Sequence, residues 1–231
     1  MAQNLASEAN AVGPRPRAES LTDRAYKLLE EMVVTLRLEP GSVLSEAALA
    51  TELGIGRTPI REALQRLARE GLVLILPRKG ILVAEINPRK QLQVLEVRRE
   101  IERLLARTGA ARSSKEEREQ FKAIADGMEK AARENDDISF MRFDQQLNVL
   151  ISKAAHNEYA SRAIGTMHGM SRRFWYMHYK EAADMPLCAR LHAELARRIA
   201  TGDAEGAAEA SDRLVDYAET FTRATLGAAN D

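Results

Sequence analysis

Arg57, Arg61 and Gln65 recur every fourth residue in GRTPIREALQRLAREG. On a 3.6-residue wheel they share one face, while Ile60, Leu64 and Leu67 share another. One face packs and the other is free to read. An arginine fork bonds guanine O6 and N7 in a bidentate way, and Thr58 with the backbone N–H groups at the helix start can hold phosphate. For an arbitrary helix such a face is merely solvated. Here a short helix precedes it, a turn of few residues separates the two, and a basic hairpin tip, Arg78-Lys79-Gly80, follows. Together these make a groove-and-wing geometry for double-stranded DNA.

A second group of chemically capable residues lies far downstream. Asp144 and Asn148 are one helical turn apart beside apolar Phe140, Leu147 and Ile151, and His192 sits among Cys188, Leu195 and Ile199. Their polar groups point into a core, where an unpaired group costs about 1–3 kcal/mol. Either Asp144 and His192 bond each other directly, or Asp144, Asn148 and His192 hold a divalent cation with waters. An amide in place of an imidazole makes that ion weakly held and oxygen-preferring. In MHGMSRRFWYMHYK, residues 167–180, His168, Arg172, Trp175 and Tyr179 share a helical face. That stripe is either core with its rim or the lining of a pocket in which Arg172 pairs a carboxylate.

The elements that position these groups are legible from periodicity and caps. Tyr26, Leu29, Met32, Val33 and Leu36 mark a first helix from Leu21 that stops near Pro40-Gly41. Ser45 opens a second, short helix and Gly54 closes it. Pro59 sits in the first turn of the third, which ends at Gly71. LVLILPRKGILVAEI, residues 72–86, reads as two strands joined by PRKG. Six amphipathic helices follow Asn87-Pro88, near 90–111, 115–135, 138–154, 157–180, 186–201 and 204–226, with a capping box at Ser114 and Glu117 and a cap at Asp136 or Asp137. The expected fold is mainly α: a winged helix-turn-helix over 21–86, then an all-α antiparallel six-helix bundle over 90–226. Residues 1–20 lack periodicity and read as a flexible arm.

LEPGSVLSEAALATELGIGRTPIREALQRLAREGLVLILPRKGILV resembles the DNA-binding domain of GntR-family bacterial transcription regulators, most specifically in PG at 40–41, SEAALA at 45–50, RTPIREAL at 57–64, EGL at 70–72 and PRKG at 77–80. The resemblance implies operator contacts by Arg57, Thr58 and Arg61, with Gly80 letting the wing approach the minor groove. Two positions depart from the common pattern: Gly56 stands where Ser is usual, and Ala47 where an Arg is frequent. Residues 90–226 resemble the FadR-type ligand domain, FCD, through VRREIERLLA at 97–106, DQQLN at 144–148 and LHAELARRIATGDAEGAAEA at 191–210. That resemblance implies a dimerising bundle that binds a small effector, and in many such domains a metal held by one Asp and three His. The corresponding positions here are Asp144, Asn148, His192 and Leu214, so two of the four ligands are replaced. Arg98 matches an arginine that often faces the effector, and is otherwise an ordinary surface residue among its charged neighbours.

Composition limits the alternatives. The chain has 231 residues, 45% of them apolar, with a single Cys188 that cannot form an internal disulfide and suits a reducing compartment. No run approaches 18 apolar residues and the N-terminus lacks the apolar centre of a signal peptide, so a cytoplasmic protein is expected. The formal charge is zero, from 34 basic and 34 acidic residues, which at first argues against nucleic acid. Its distribution reverses the argument. Residues 21–56 carry three basic and six acidic groups, residues 57–90 eight and three, and the last 141 residues 21 and 23. A basic reading helix and wing are therefore attached to a slightly acidic bundle.

The function expected from all of this is a dimeric transcription regulator, a repressor relieved by an organic acid held by Arg98, Asp144, Asn148, Arg172, Trp175 and His192. Two rivals are a metal-assisted hydrolase built on Asp144 and His192 with a DNA-binding head, and a helical adaptor without effector. No glycine-rich phosphate loop, HExxH or paired nucleophile and base supports the enzyme.

Overall fold

A computed structural model describes residues 19–78 and 80–228. Most of the segment read as a flexible arm, residues 1–18, lies outside the described residues, as does Lys79. Its last two residues already serve the first helix. The Ser20 hydroxyl oxygen accepts the Asp23 N–H at the start of α1 (Leu21–Val34), and Glu19 pairs with Lys27. Helix α1 ends at Val34, two residues before the last periodic position and well short of the stop expected near Pro40-Gly41, because Leu36 turns into the left-handed region at φ 61°.

Ser45 accepts the Ala48 N–H to open α2 (Glu46–Leu53), and Gly54 at φ 62° closes it. After Ile55 and Gly56 the chain enters α3 (Arg57–Arg69), whose Ile60, Leu64 and Leu67 are fully buried against Leu29 and Val33 of α1. The hairpin adds to a strand that the sequence did not disclose. Besides β2 (Val73–Leu76) and β3 (Gly80–Val83) there is β1 (Val43–Leu44), and the antiparallel order is β1-β3-β2, with Val43 opposite Leu82 and Leu74 opposite the same Leu82. Two residues carry no alternation to read, so β1 is recognisable only once β3 offers it an edge.

Six helices complete the described chain: α4 (Pro88–Arg112), α5 (Lys115–Glu134), α6 (Asp137–Ala154), α7 (Glu158–Ala182), α8 (Met185–Thr201) and α9 (Ala204–Ala228). Local chemistry sets their starts. Asn87, Asp136, Asn157 and Asp184 each accept first-turn N–H groups, and Ser114 with Glu117 forms a complete capping box. Leu105, Phe121, Met128, Leu147, Ile164 and Ile199 fill the bundle core.

The head meets the bundle through Gly169, Met170, Arg172 and Arg173 of α7, while Ser171 between them bonds α4. Met170 packs into the head core, and a Cβ on Gly169 would come within 2.8 Å of Leu72 Cδ1. Ser171 accepts from Gln91, Arg172 bonds Glu30, and Arg173 donates to the Ala84 carbonyl. Leu72 is fully buried and has nowhere to retreat. Gly169→Val is therefore expected to lower stability by about 1–3 kcal/mol through overpacking. A urea unfolding midpoint equal to that of the wild type would contradict this close approach.

Candidate functional site

The structure separates two regions, one on the outer face of α3 and one inside the bundle. Arg57, Thr58, Arg61 and Gln65 are all exposed, opposite the buried Ile60, Leu64 and Leu67. Gly56 caps α3 without a side-chain bond, so no hydroxyl or carboxylate occupies the first-turn N–H groups. The helix is pinned from behind. Thr22 donates to Glu62 at 2.6 Å, the Tyr26 hydroxyl donates to Glu70 at 2.8 Å, and the Arg66 guanidinium lies 3.6 Å above the Tyr26 ring. Burial and the neighbouring Glu70 carboxylate push the Tyr26 hydroxyl well above the ordinary phenol range.

Arg61 has a partner that sequence reasoning missed. Its Nε and Nη2 donate to Glu46 of α2 at 3.1 and 2.8 Å, and the bond from Arg61 holds the Glu46 carboxyl below its usual range. The fork is held in one plane while its outer edge stays in solvent, an arrangement that suits a planar acceptor pair. At the hairpin tip Arg78 is exposed at φ 63° and Gly80 turns at φ 93°, where a side chain would be strained.

Inside the bundle, Arg98, Asp144, Asn148, Arg172, Trp175 and His192 all line one cavity of about 200 Å³. The α7 stripe is thus split: His168, Arg172 and Trp175 face the cavity, whereas the Tyr179 hydroxyl donates to Asp137 at 3.0 Å and Tyr176 lines the cavity instead. Val34 and Thr35, at the end of α1, form part of the wall, so the head closes one side of it.

Charges in the cavity come in pairs. Arg98 is no free surface arginine; it donates to Glu102 at 2.7 Å, with both side chains only 18% exposed. Burial alone would raise the Glu102 carboxyl, but the Arg98 guanidinium and His168 hold it down to about 2. The Asp144 Oδ1 accepts from Asn148 at 3.0 Å and lies 3.2 Å from His192 Nε2, while His192 Nδ1 donates to the Cys188 carbonyl at 2.8 Å. With an acceptor at each nitrogen the ring is an imidazolium. Burial opposes that charge, yet the contacts with Cys188 and Asp144 raise the His192 pKa well above its usual value, and the imidazolium lowers the Asp144 carboxyl against the same burial. Arg172 pairs with Glu30 at 2.9 Å, and Trp175 Nε1 is buried with no hydrogen-bond partner.

The residues considered as metal ligands do converge, but they form a closed hydrogen-bonded group. Asn148 spends its amide on the Asp144 oxygen that would face an ion, the His192 Nε2 turns to the same oxygen, and Leu214 adds only hydrocarbon to the wall. Among the described residues no group of three or more His, Cys, Asp or Glu side chains could hold a metal ion. The donor set does not fit a metal of the three-histidine kind.

An FCD domain model matches residues 93–217, more than half of the chain, and the model of the gntR family of bacterial regulatory proteins matches residues 21–83. The chain belongs to the GntR family and carries an FCD domain. Similar proteins include the HTH-type transcriptional repressor RspR of Escherichia coli K12, 23% identical over 177 residues that make up 77% of this chain and 78% of that protein. An HTH-type transcriptional regulator of Streptomyces ambofaciens is 49% identical over 63 residues, and this match spans only 27% of that relative's length. Among solved structures, E. coli McbR/YncC superposes with a TM-score of 0.76 at 18% identity, covering 90% of this chain and 99% of that one, which shows a shared fold. The matched gntR model is one of bacterial regulatory proteins and the relatives are named transcriptional regulators, which speaks against the hydrolase reading.

Glu102 gives a pH test of the cavity electrostatics. Its folded pKa of about 2 lies below the ordinary 4.5, so its stabilisation is present above 4.5 and is lost as pH falls towards 2. The stability of the wild type relative to Glu102→Gln should therefore shrink by about 3 kcal/mol over that window. A difference that does not change with pH, measured by urea unfolding, would show that the Arg98–Glu102 pair does not govern this carboxyl.

Proposed function

We propose that this GntR-family regulator is a cytoplasmic, dimeric repressor whose operator affinity is modulated by a small organic acid in the FCD cavity. In this reading Arg57, Arg61 and Gln65 address base edges in the major groove, Thr58 and the first-turn N–H groups of α3 hold phosphate, and Arg78, Lys79 and Gly80 bring the wing to the adjoining groove. The observation that carries the effector is the gathering of Arg98, Arg172, His192 and the unpartnered Trp175 Nε1 around one cavity. Donors and cations of that kind suit a carboxylate held without a metal. Repression is supported by the relative RspR, which is named a transcriptional repressor. Charge supports dimerisation: the head's excess of basic groups is concentrated in residues 57–90, and two heads on a palindrome multiply a weak affinity for duplex. Among the described residues no helix is long and apolar enough to cross a membrane.

Arg61→Ala is expected to weaken binding to an operator in the DNA upstream of its own gene by about 1–3 kcal/mol and to relax base preference at one position in each half-site. Gel shifts at matched salt measure this, and equal binding by both proteins would remove Arg61 from the base-reading role. In a thermal-shift screen of carboxylates, the acid that binds should raise Tm by the same amount with and without chelator. A shift abolished by chelator would restore the metal.

A further inference from the structure

Arg98, His192 and Arg172 line the cavity, each beside a carboxylate, and they differ in where that carboxylate is anchored: Glu102 and Asp144 share the cavity wall, whereas Glu30 stands behind it. Arg98 and Glu102 both belong to α4, and His192 and Asp144 belong to α8 and α6, so these two pairs lie within the bundle. Arg172 lies on α7, but its partner Glu30 lies on α1 of the head. The same helix supplies Val34 and Thr35 to the cavity wall, and it holds α3 through the Thr22–Glu62 bond and the Tyr26, Arg66 and Glu70 cluster.

We infer that Arg172 is contested: a carboxylate bound in the cavity takes this guanidinium from Glu30, loosens α1 from α7, and so transmits occupancy of the cavity to the reading helix. This rests on the effector reading above and adds the residue through which the effector acts. Glu30 is only 16% exposed on its side chain; burial raises its pKa, Arg172 opposes that shift, and the Glu70 and Glu31 carboxylates add to it. Two carboxylates on one partly buried guanidinium repel, and a Glu30 left without Arg172 is an uncompensated charge beside other acids. The bound acid and Glu30 therefore compete for the guanidinium. Met170 in the head core and Arg173 on the Ala84 carbonyl keep the head attached in both, so the change is a reorientation and not a release. Coupling of this kind is reciprocal: what removes Glu30 from the competition must raise affinity for the acid.

The test uses the full chain and three probes, acetate, succinate and citrate, titrated by calorimetry into the wild type, Glu30→Gln, Glu31→Gln and Arg172→Gln. Hydrogen exchange of residues 31–36 is followed in parallel. The expected result is that Glu30→Gln binds the best probe about 5-fold or more tightly than the wild type. Glu31→Gln, whose carboxylate is exposed and does not touch Arg172, should match the wild type, and Arg172→Gln should lose binding. Saturating probe should speed exchange at residues 31–36 in the wild type. A probe that binds wild type and Glu30→Gln equally, with exchange unchanged, would overturn the contest over Arg172 and leave the effector reading standing. No binding of any probe to wild type or Glu30→Gln would overturn both.

Discussion

Residues 169–173 of α7 form the joint on which both functional regions depend. A glycine lets the helix reach Leu72, Met170 enters the head core, and Arg173 is 97% removed from solvent with burial pushing its pKa down to about 10. Arg173 donates to a carbonyl, has no carboxylate in direct contact, and its Nε has no partner. Such a group is costly anywhere except where the surroundings fix it. The joint thus holds a head of nearly independent core against a bundle with a core of its own, and it does so through polar groups with one defined geometry.

The cavity obeys a related constraint. Cationic side chains can be kept there because each is paired, and pairing leaves little charge for an ion to neutralise. Asp144, Asn148 and His192 satisfy one another in this way, although the residue types invite a cation. The imidazolium of His192 occupies the place of a cation, and Asn148 fixes the carboxylate that faces it. Of these pairs, Arg172 and Glu30 is the one that joins two domains, and it is there that the proposed acid would compete with a carboxylate of the head.

How much of this could be read from sequence depends on distance along the chain. Caps at Ser45, Gly54, Ser114 and Asn157 are local, involve groups three or four residues apart, and set helix borders to within a few residues. The buried row Ile60, Leu64 and Leu67 follows from periodicity and leaves Arg57, Arg61 and Gln65 outside. Strand β1 is too short to carry a pattern. Glu46 is ordinary in its own helix and meets Arg61 only because two helices cross, and Glu30 is 142 residues from Arg172. Helical faces alone direct Arg172 and Trp175 to a pocket and Asp144, Asn148 and His192 into the bundle, and a resemblance to FCD domains adds Arg98, whereas the pairing of each charge carries no such signal. Glu102 was the exception, since it stands one turn after Arg98 and the i,i+4 spacing was open to reading.

The exposed face of α3 is connected to the bundle cavity through α7 and α1, and one measurement addresses that junction directly. It is the affinity of the full chain for duplex from upstream of its own gene, followed by fluorescence anisotropy at fixed salt while a carboxylate known to bind the protein is added. The account predicts saturable binding that weakens by about 5- to 150-fold as the cavity fills. Operator affinity that stays constant through full occupancy of the cavity would contradict it.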